Sequence, residues 1–236
     1  MLTGRSAAHV VDCPEFGTRL QPIVRFALQR MQRAAREVGI ELTVASGFRD
    51  FTRQCTIWNG KFRGEREVLD ALGRPVDMRA LDDDARIDAI LQWSALPGAS
   101  RHHWGTDFDV YDRAALDTSA GPRLIPEEYA AGGPFARLSA WLERRAHEFG
   151  FFRPYASDRG GVRPEAWHLS FAPESMRCLD AMSPEILAEA ISSASIEGQP
   201  ALLGRLPILY TRFVQQIDRP SLAASAFELR DDGRMV

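Results

Sequence analysis

The sequence predicts an α+β fold with a helical C-terminal extension, and three observations carry that reading. Long stretches repeat their apolar residues at helical spacing, while short period-two runs stand between them. Those strand-like runs are too few for a doubly wound parallel sheet. From residue 183 onward the pattern is helical again, so residues 183–236 read as a mainly helical extension packed on a domain of residues 1–182. The 236 residues, 45% hydrophobic and 26% charged, suffice to bury a sizeable core.

The elements follow in chain order. QPIVRFALQRMQRAAREVG, residues 21–39, sets Ile23, Phe26, Ala27, Met31, Ala34 and Val38 on one helical stripe and ends at Gly39. ELTVAS reads as a strand leading into the turn SGFRD. Asp50 caps a helix with Phe51, Cys55 and Trp58 on one side. Residues 60–81 carry Gly, Pro and mixed charge without a period and read mostly as loop. DDDARIDAILQWSAL opens with a capping acid and turns Ile87, Ile90 and Leu91 to an apolar face. After a polar loop containing SAGPRLIPEE, GPFARLSAWLERRAHEFG aligns Phe135, Leu138, Trp141, Leu142 and Phe149 on one helix face and closes at Gly150. EAWHLSF reads as a further strand, and Ser183 with Pro184 opens the last helical region.

Composition narrows the function. A net charge of -3 argues against a dedicated nucleic-acid or acidic-membrane binder. No apolar run approaches the roughly 20 residues that an integral membrane segment needs. The N-terminus has no apolar signal core, which points to the cytoplasm; a leader removed beforehand would place the protein in the envelope instead. Cys13, Cys55 and Cys178 are widely spaced and form no obvious disulfide framework. A thiol hydrolase built on Cys55 is disfavoured, because that residue falls on the apolar side of its helix. Oligomeric state is not encoded in any pattern of the chain.

The chemistry concentrates in SRHHWGTDFDV, residues 100–110, which holds two of the five histidines. As a period-two strand, TDFDVY turns Phe108 and Val110 to a core and Asp107, Asp109 and Tyr111 the other way. Gly105 allows a turn that folds an imidazole at 102 or 103 back beside Asp109. In RPEAWHLSF, Trp167, Leu169 and Phe171 alternate with Ala166, His168 and Ser170, leaving His168 as the one strong ligand on its face. Strand geometry would send Glu165 and His168 to opposite faces, so only a bend brings them together. Two histidines and a carboxylate are a ligand set for catalytic zinc, and a further carboxylate can move the proton of a zinc-activated water. His102, Asp109 and His168 with Glu165 satisfy both needs. No H-E-x-x-H is present, since Phe151 stands where the second histidine after His147 would fall.

SRHHWGTDFD resembles the S-x-H-x-x-G-x-A-x-D motif of the zinc D-alanyl-D-alanine carboxypeptidases and dipeptidases, including those of vancomycin-resistance systems. EAWH resembles their E-x-W-H motif and SGFRDFTRQ their S-G-Y-R-S-x-x-x-Q segment, in the same order along residues 20–175. The resemblance implies an α+β fold with a central antiparallel sheet flanked by helices, one zinc ion per chain, and a peptide substrate derived from peptidoglycan. It implies that His102, Asp109 and His168 ligate zinc and that Glu165 is the general base. It makes Arg49 the cation for the oxyanion or the substrate carboxylate. Ser100 and Gln54 fall where the family places polar groups near the site. Asp107 replaces a small residue of the family; it orients a histidine, contacts substrate, or lies at a solvated edge. His103 stands at a variable position and reads as a supporting or substrate-facing group. Trp104 and Trp167 read as walls of the cleft. A carboxypeptidase acting on D-alanyl-D-alanine ends is the leading expectation. An endopeptidase or dipeptidase of the same chemistry and a non-catalytic zinc-containing cell-wall-binding module are the alternatives.

Overall fold

The computed structural model describes residues 1–116 and 121–227. Residues 119–120 of the expected polar loop and the last nine residues of the C-terminal extension lie outside them. In chain order the regular elements are β1 (Val11–Cys13), β2 (Thr18–Leu20), α1 (Pro22–Glu37), β3 (Leu42–Ser46), α2 (Phe51–Phe62), α3 (Asp83–Leu91), β4 (Asp107–Asp112) and α4 (Pro126–Tyr129). They continue with α5 (Ala136–Arg145), β5 (Phe151–Phe152), β6 (His168–Phe171), α6 (Ala172–Ala181), α7 (Pro184–Ser192), α8 (Gln199–Tyr210) and α9 (Leu222–Ser225). The fold is α+β. β1 and β2 form a hairpin, and the central sheet has the order β3-β4-β6-β5 with every pair antiparallel.

The sheet sorts its side chains by parity. Phe108 and Val110 of β4 and Leu169 and Phe171 of β6 face a core shared with Leu28 and Met31 of α1 and Leu138 of α5. Asp107, Asp109, His168 and Ser170 occupy the other face, and their register pairs Asp107 with Ser170 and Asp109 with His168. A bulge between Val44 and Ser46 bends β3 at its end, just before Gly47 and Arg49. A second core lies on the far side of the site, where Phe51 and Trp58 of α2 and Ile87 of α3 pack with Leu187, Ile191, Leu202 and Leu206 of α7 and α8.

Local signals place the helix ends. Asp50, Asp82 and Ser183 accept from the backbone N–H groups of Arg53, Ala85 and Ile186, capping α2, α3 and α7. Two expectations need correcting. The buried stripe of α1 is Val24, Ala27, Leu28, Met31 and Ala35, and Val38 is exposed beyond the helix end. Gln21 explains the rotation: its N–H donates to the Gly105 carbonyl and its amide to the Trp104 carbonyl, fixing the helix phase at its entry. β6 begins at His168 rather than Glu165, because the His168 N–H donates to the Glu165 carbonyl at 3.3 Å in a turn.

Candidate active site

His102, Asp109 and His168 converge, with one ligand atom from each lying within 4.8 Å of the others. Asp109 and His168 are direct partners across β4 and β6, and His102 comes in on the helical turn Arg101–Trp104 that precedes β4. Gly105 makes that approach possible: its φ is 67°, and a Cβ there would stand 2.3 Å from a Val10 methyl.

Hydrogen bonds behind the rings fix which nitrogens face inward. Nδ1 of His102 lies 2.9 Å from the Gly47 carbonyl oxygen, which only accepts, so Nδ1 carries the proton and Nε2 presents its lone pair. That Nε2 is 3.5 Å from Asp109 Oδ2. Nε2 of His168 donates to Asp107 Oδ1 at 3.1 Å, which turns Nδ1 toward Asp109 Oδ1 at 3.1 Å and Glu165 Oε2 at 3.4 Å. Asp109 Oδ1 is buried and receives no hydrogen bond. Two ring nitrogens and a carboxylate thus face one another around a point that demands positive charge. Burial holds His102 down to about 3, keeping its lone pair free. Burial would lower His168 as well, but the carboxylates of Asp107 and Asp109 beside it carry it up to about 10. The convergence of two imidazole nitrogens with a carboxylate whose buried Oδ1 has no hydrogen-bond partner is a donor set that fits zinc.

Asp107 does not line the cleft. It is fully buried, accepts from Arg101 Nε at 2.7 Å and from Thr106 Oγ1 at 2.5 Å, and backs His168. Burial alone would raise its carboxyl, yet Arg101 and His168 hold it below the usual range. Of the three expected roles the histidine-orienting one is realised, and the contact with substrate is not. His103 is also fully buried: Nδ1 is 2.6 Å from the Arg49 carbonyl oxygen, and Nε2 accepts from the Gly98 N–H at 3.3 Å. It braces the Arg49 backbone rather than facing substrate. Trp104 is buried under the guanidinium of Arg101, 4.7 Å from its ring, and Trp167 alone of the two tryptophans walls the cleft.

The cleft in front of the trio encloses about 880 Å³. Arg49 lines it, with Nη1 donating to Gln54 Oε1 at 2.9 Å and Nη2 to Ser46 Oγ at 3.3 Å. Gln54 is fully buried and fastens Arg49 to the Ala95 carbonyl, so it positions the cation from behind. Ser100 lines the cleft wall. Glu165, its N–H donating to the Tyr155 carbonyl at 2.9 Å, is brought to the cleft by the bend before β6. Burial pushes its carboxyl up to about 7, with Asp109 adding to the rise and His168, Arg49 and Lys61 opposing it. Sequence reasoning missed two residues here. Arg101 is the buried counter-ion of Asp107, and Lys61 is a second cation in the cleft. Cys55 is half-buried with its thiol pushed up by burial, Cys13 and Cys178 are buried, and none lines the cleft.

The profile of the family described as VanY: D-alanyl-D-alanine carboxypeptidase matches residues 17–174, a span that contains the trio, Glu165 and Arg49. A Haemophilus influenzae protein described as uncharacterized is 46% identical over 99 residues, 41% of this chain and 68% of that one. The D-alanyl-D-alanine carboxypeptidase of Enterococcus faecalis is 24% identical over 158 residues, 66% of this chain and 49% of that protein. Among solved structures, VanYB in complex with D-alanine-D-alanine superposes with a TM-score of 0.52 at 21% identity, covering 81% of this chain and 92% of that one. The vancomycin-resistance D,D-pentapeptidase VanY, as a mutant in complex with Zn(II), gives 0.50 at 22% identity over 79% of this chain and 92% of that one. These two likenesses show a shared fold. The family match goes further: the chain belongs to the VanY D-alanyl-D-alanine carboxypeptidase family and is a peptidase.

Proposed function

We propose that the protein is a zinc-dependent D-alanyl-D-alanine carboxypeptidase that removes the terminal D-alanine from peptidoglycan precursors or muropeptides. One observation carries the reading: Nε2 of His102 and Nδ1 of His168 converge with the Asp109 carboxylate in a cleft that also presents Glu165 and Arg49. His102, Asp109 and His168 would hold a single zinc ion, the metal of the Zn(II)-bound relative. Zinc held there supplies Lewis-acid polarisation of the scissile carbonyl and acidifies a water.

The remaining work falls to the chain. Glu165 takes the proton of the attacking water and delivers it to the leaving amine nitrogen. A carboxyl raised to about 7 suits both transfers near neutral pH. Arg49, its guanidinium fixed by Gln54 and Ser46, presents its remaining donors to the oxyanion as charge develops. Ser100, on the wall, contacts the substrate backbone.

Metal analysis with product mass spectrometry tests the assignment. Glu165→Ala is expected to lose on the order of 10²–10⁴ in D-alanine release while retaining zinc, whereas His168→Ala loses the metal. Equal zinc loss in both variants would contradict these roles.

A further inference from the structure

Lys61 is a half-buried cation lining the cleft that the mechanism above leaves unused. It stands in the last turn of α2, seven residues beyond Gln54 and therefore on the same helix face. Its ammonium donates to Ser94 Oγ at 2.5 Å. Among the described residues it has no carboxylate partner within 4.0 Å. An ammonium has three donors, so a single neutral hydroxyl leaves its hydrogen bonding and its charge unanswered. Burial, reinforced by the like charge of Arg49, pushes it down to about 8, with Glu165 opposing. An anion entering the cleft would offset that cost.

Among the described residues Arg49 lacks a carboxylate partner at that distance too; of the cations lining the cleft, these two are neither exposed, as Arg123 is, nor paired, as Arg101 is. A substrate ending in a free acid brings two negative oxygen groups, the oxyanion that develops at the scissile carbon and the permanent terminal carboxylate. The two cations are held differently. The backbone N–H of Arg49 donates to the His102 carbonyl at 3.2 Å, which ties it to a member of the trio. Lys61 comes from the far end of α2 and is seated by Ser94 on the loop after α3.

We propose that Lys61, seated by Ser94, binds the free C-terminal carboxylate of the substrate and leaves Arg49 to the oxyanion, making the cleft an exopeptidase site. This assignment rests on the carboxypeptidase reading above. An internal peptide bond offers Lys61 only neutral amides and leaves its charge unpaired.

The test compares an N-acetylated tripeptide ending in D-Ala-D-Ala with its C-terminal amide, on the zinc-loaded full chain. The wild type is expected to prefer the acid roughly 10–100-fold in kcat/KM, the range for a hydrogen bond to a charged group. Lys61→Met raises KM for the acid by a similar factor with little change in kcat and abolishes the preference, and Lys61→Arg restores it. Calorimetry on zinc-loaded Glu165→Gln, with and without Lys61→Met, reads the same preference as binding without turnover. Equal binding of acid and amide by Glu165→Gln, or equal weakening of both by Lys61→Met, would overturn the proposal. A wild type that releases D-alanine from neither peptide, while Glu165→Gln still selects the acid through Lys61, would refute the carboxypeptidase reading and leave the carboxylate site standing.

Discussion

Asp107 and Asp109 lie two positions apart on one face of β4, yet they act on His168 from opposite sides. Asp107 accepts the hydrogen bond of Nε2–H, and Asp109 shares the point that Nδ1 faces. Asp107→Asn keeps an acceptor for His168 but removes the charge that balances Arg101 inside the protein. Zinc affinity, measured by competition with a chelator, is expected to fall about 10–100-fold. Stability is expected to fall by about 3–5 kcal/mol, since Arg101 is left as an uncompensated buried charge. Unchanged affinity would show that Asp107 does not orient the ligand. The trio itself was legible in the sequence, because the two-residue period of β4 and β6 decides which side chains share a face. Arg101 and Lys61 were not. Long basic side chains are mostly exposed, and nothing adjacent to Arg101 in sequence announces that Ser170, 69 residues later, helps bury it.

At the scale of elements, short turns do the aiming. The Gly47 carbonyl holds His102, the bend at Glu165–His168 brings Glu165 to the cleft, and Gly105 reverses the chain before β4. Gly105→Ala combines a left-handed φ with a collision against Val10. It is expected to cost about 1–3 kcal/mol and to weaken zinc binding, because His102 shifts with the turn. A fall in Tm with zinc affinity intact would separate that turn from the site. Caps and glycine stops were readable locally, as Asp50, Ser183 and Gly150 show. The phase of α1 was not, because Val24, Leu28 and Ala35 compete with Ile23, Phe26 and Val38 as an apolar stripe. Only the distant Gly105 and Trp104 carbonyls, through Gln21, choose between them. The bend at Glu165 was recognised as a requirement, but strand parity gave no means of deriving it.

For the whole molecule, the helices after residue 183 supply the backing for α2. Trp58 donates to the Glu197 carbonyl and Asn59 to that of Ser195, and Leu202 is fully buried in the core they share. Leu202→Ala is therefore expected to cost about 2–5 kcal/mol of stability, read by denaturant unfolding, while the folded fraction keeps its zinc affinity. The helical pattern of this region was legible in the sequence, which held no chemical signal for it. It did not show that the region supports the helix bearing Gln54 and Lys61, because that contact spans more than a hundred residues. Tyr155 of one core, Trp167 of the other and His168 of the central sheet line one cleft, where His102, Asp109 and His168 are assigned a divalent cation. Anomalous diffraction at the zinc edge from crystals of the zinc-loaded protein tests that assignment most directly. One peak is expected about 2.0–2.2 Å from His102 Nε2, His168 Nδ1 and an Asp109 oxygen, with Glu165 outside the coordination sphere. A peak ligated by other residues, or none at this trio in zinc-saturated crystals, would contradict it.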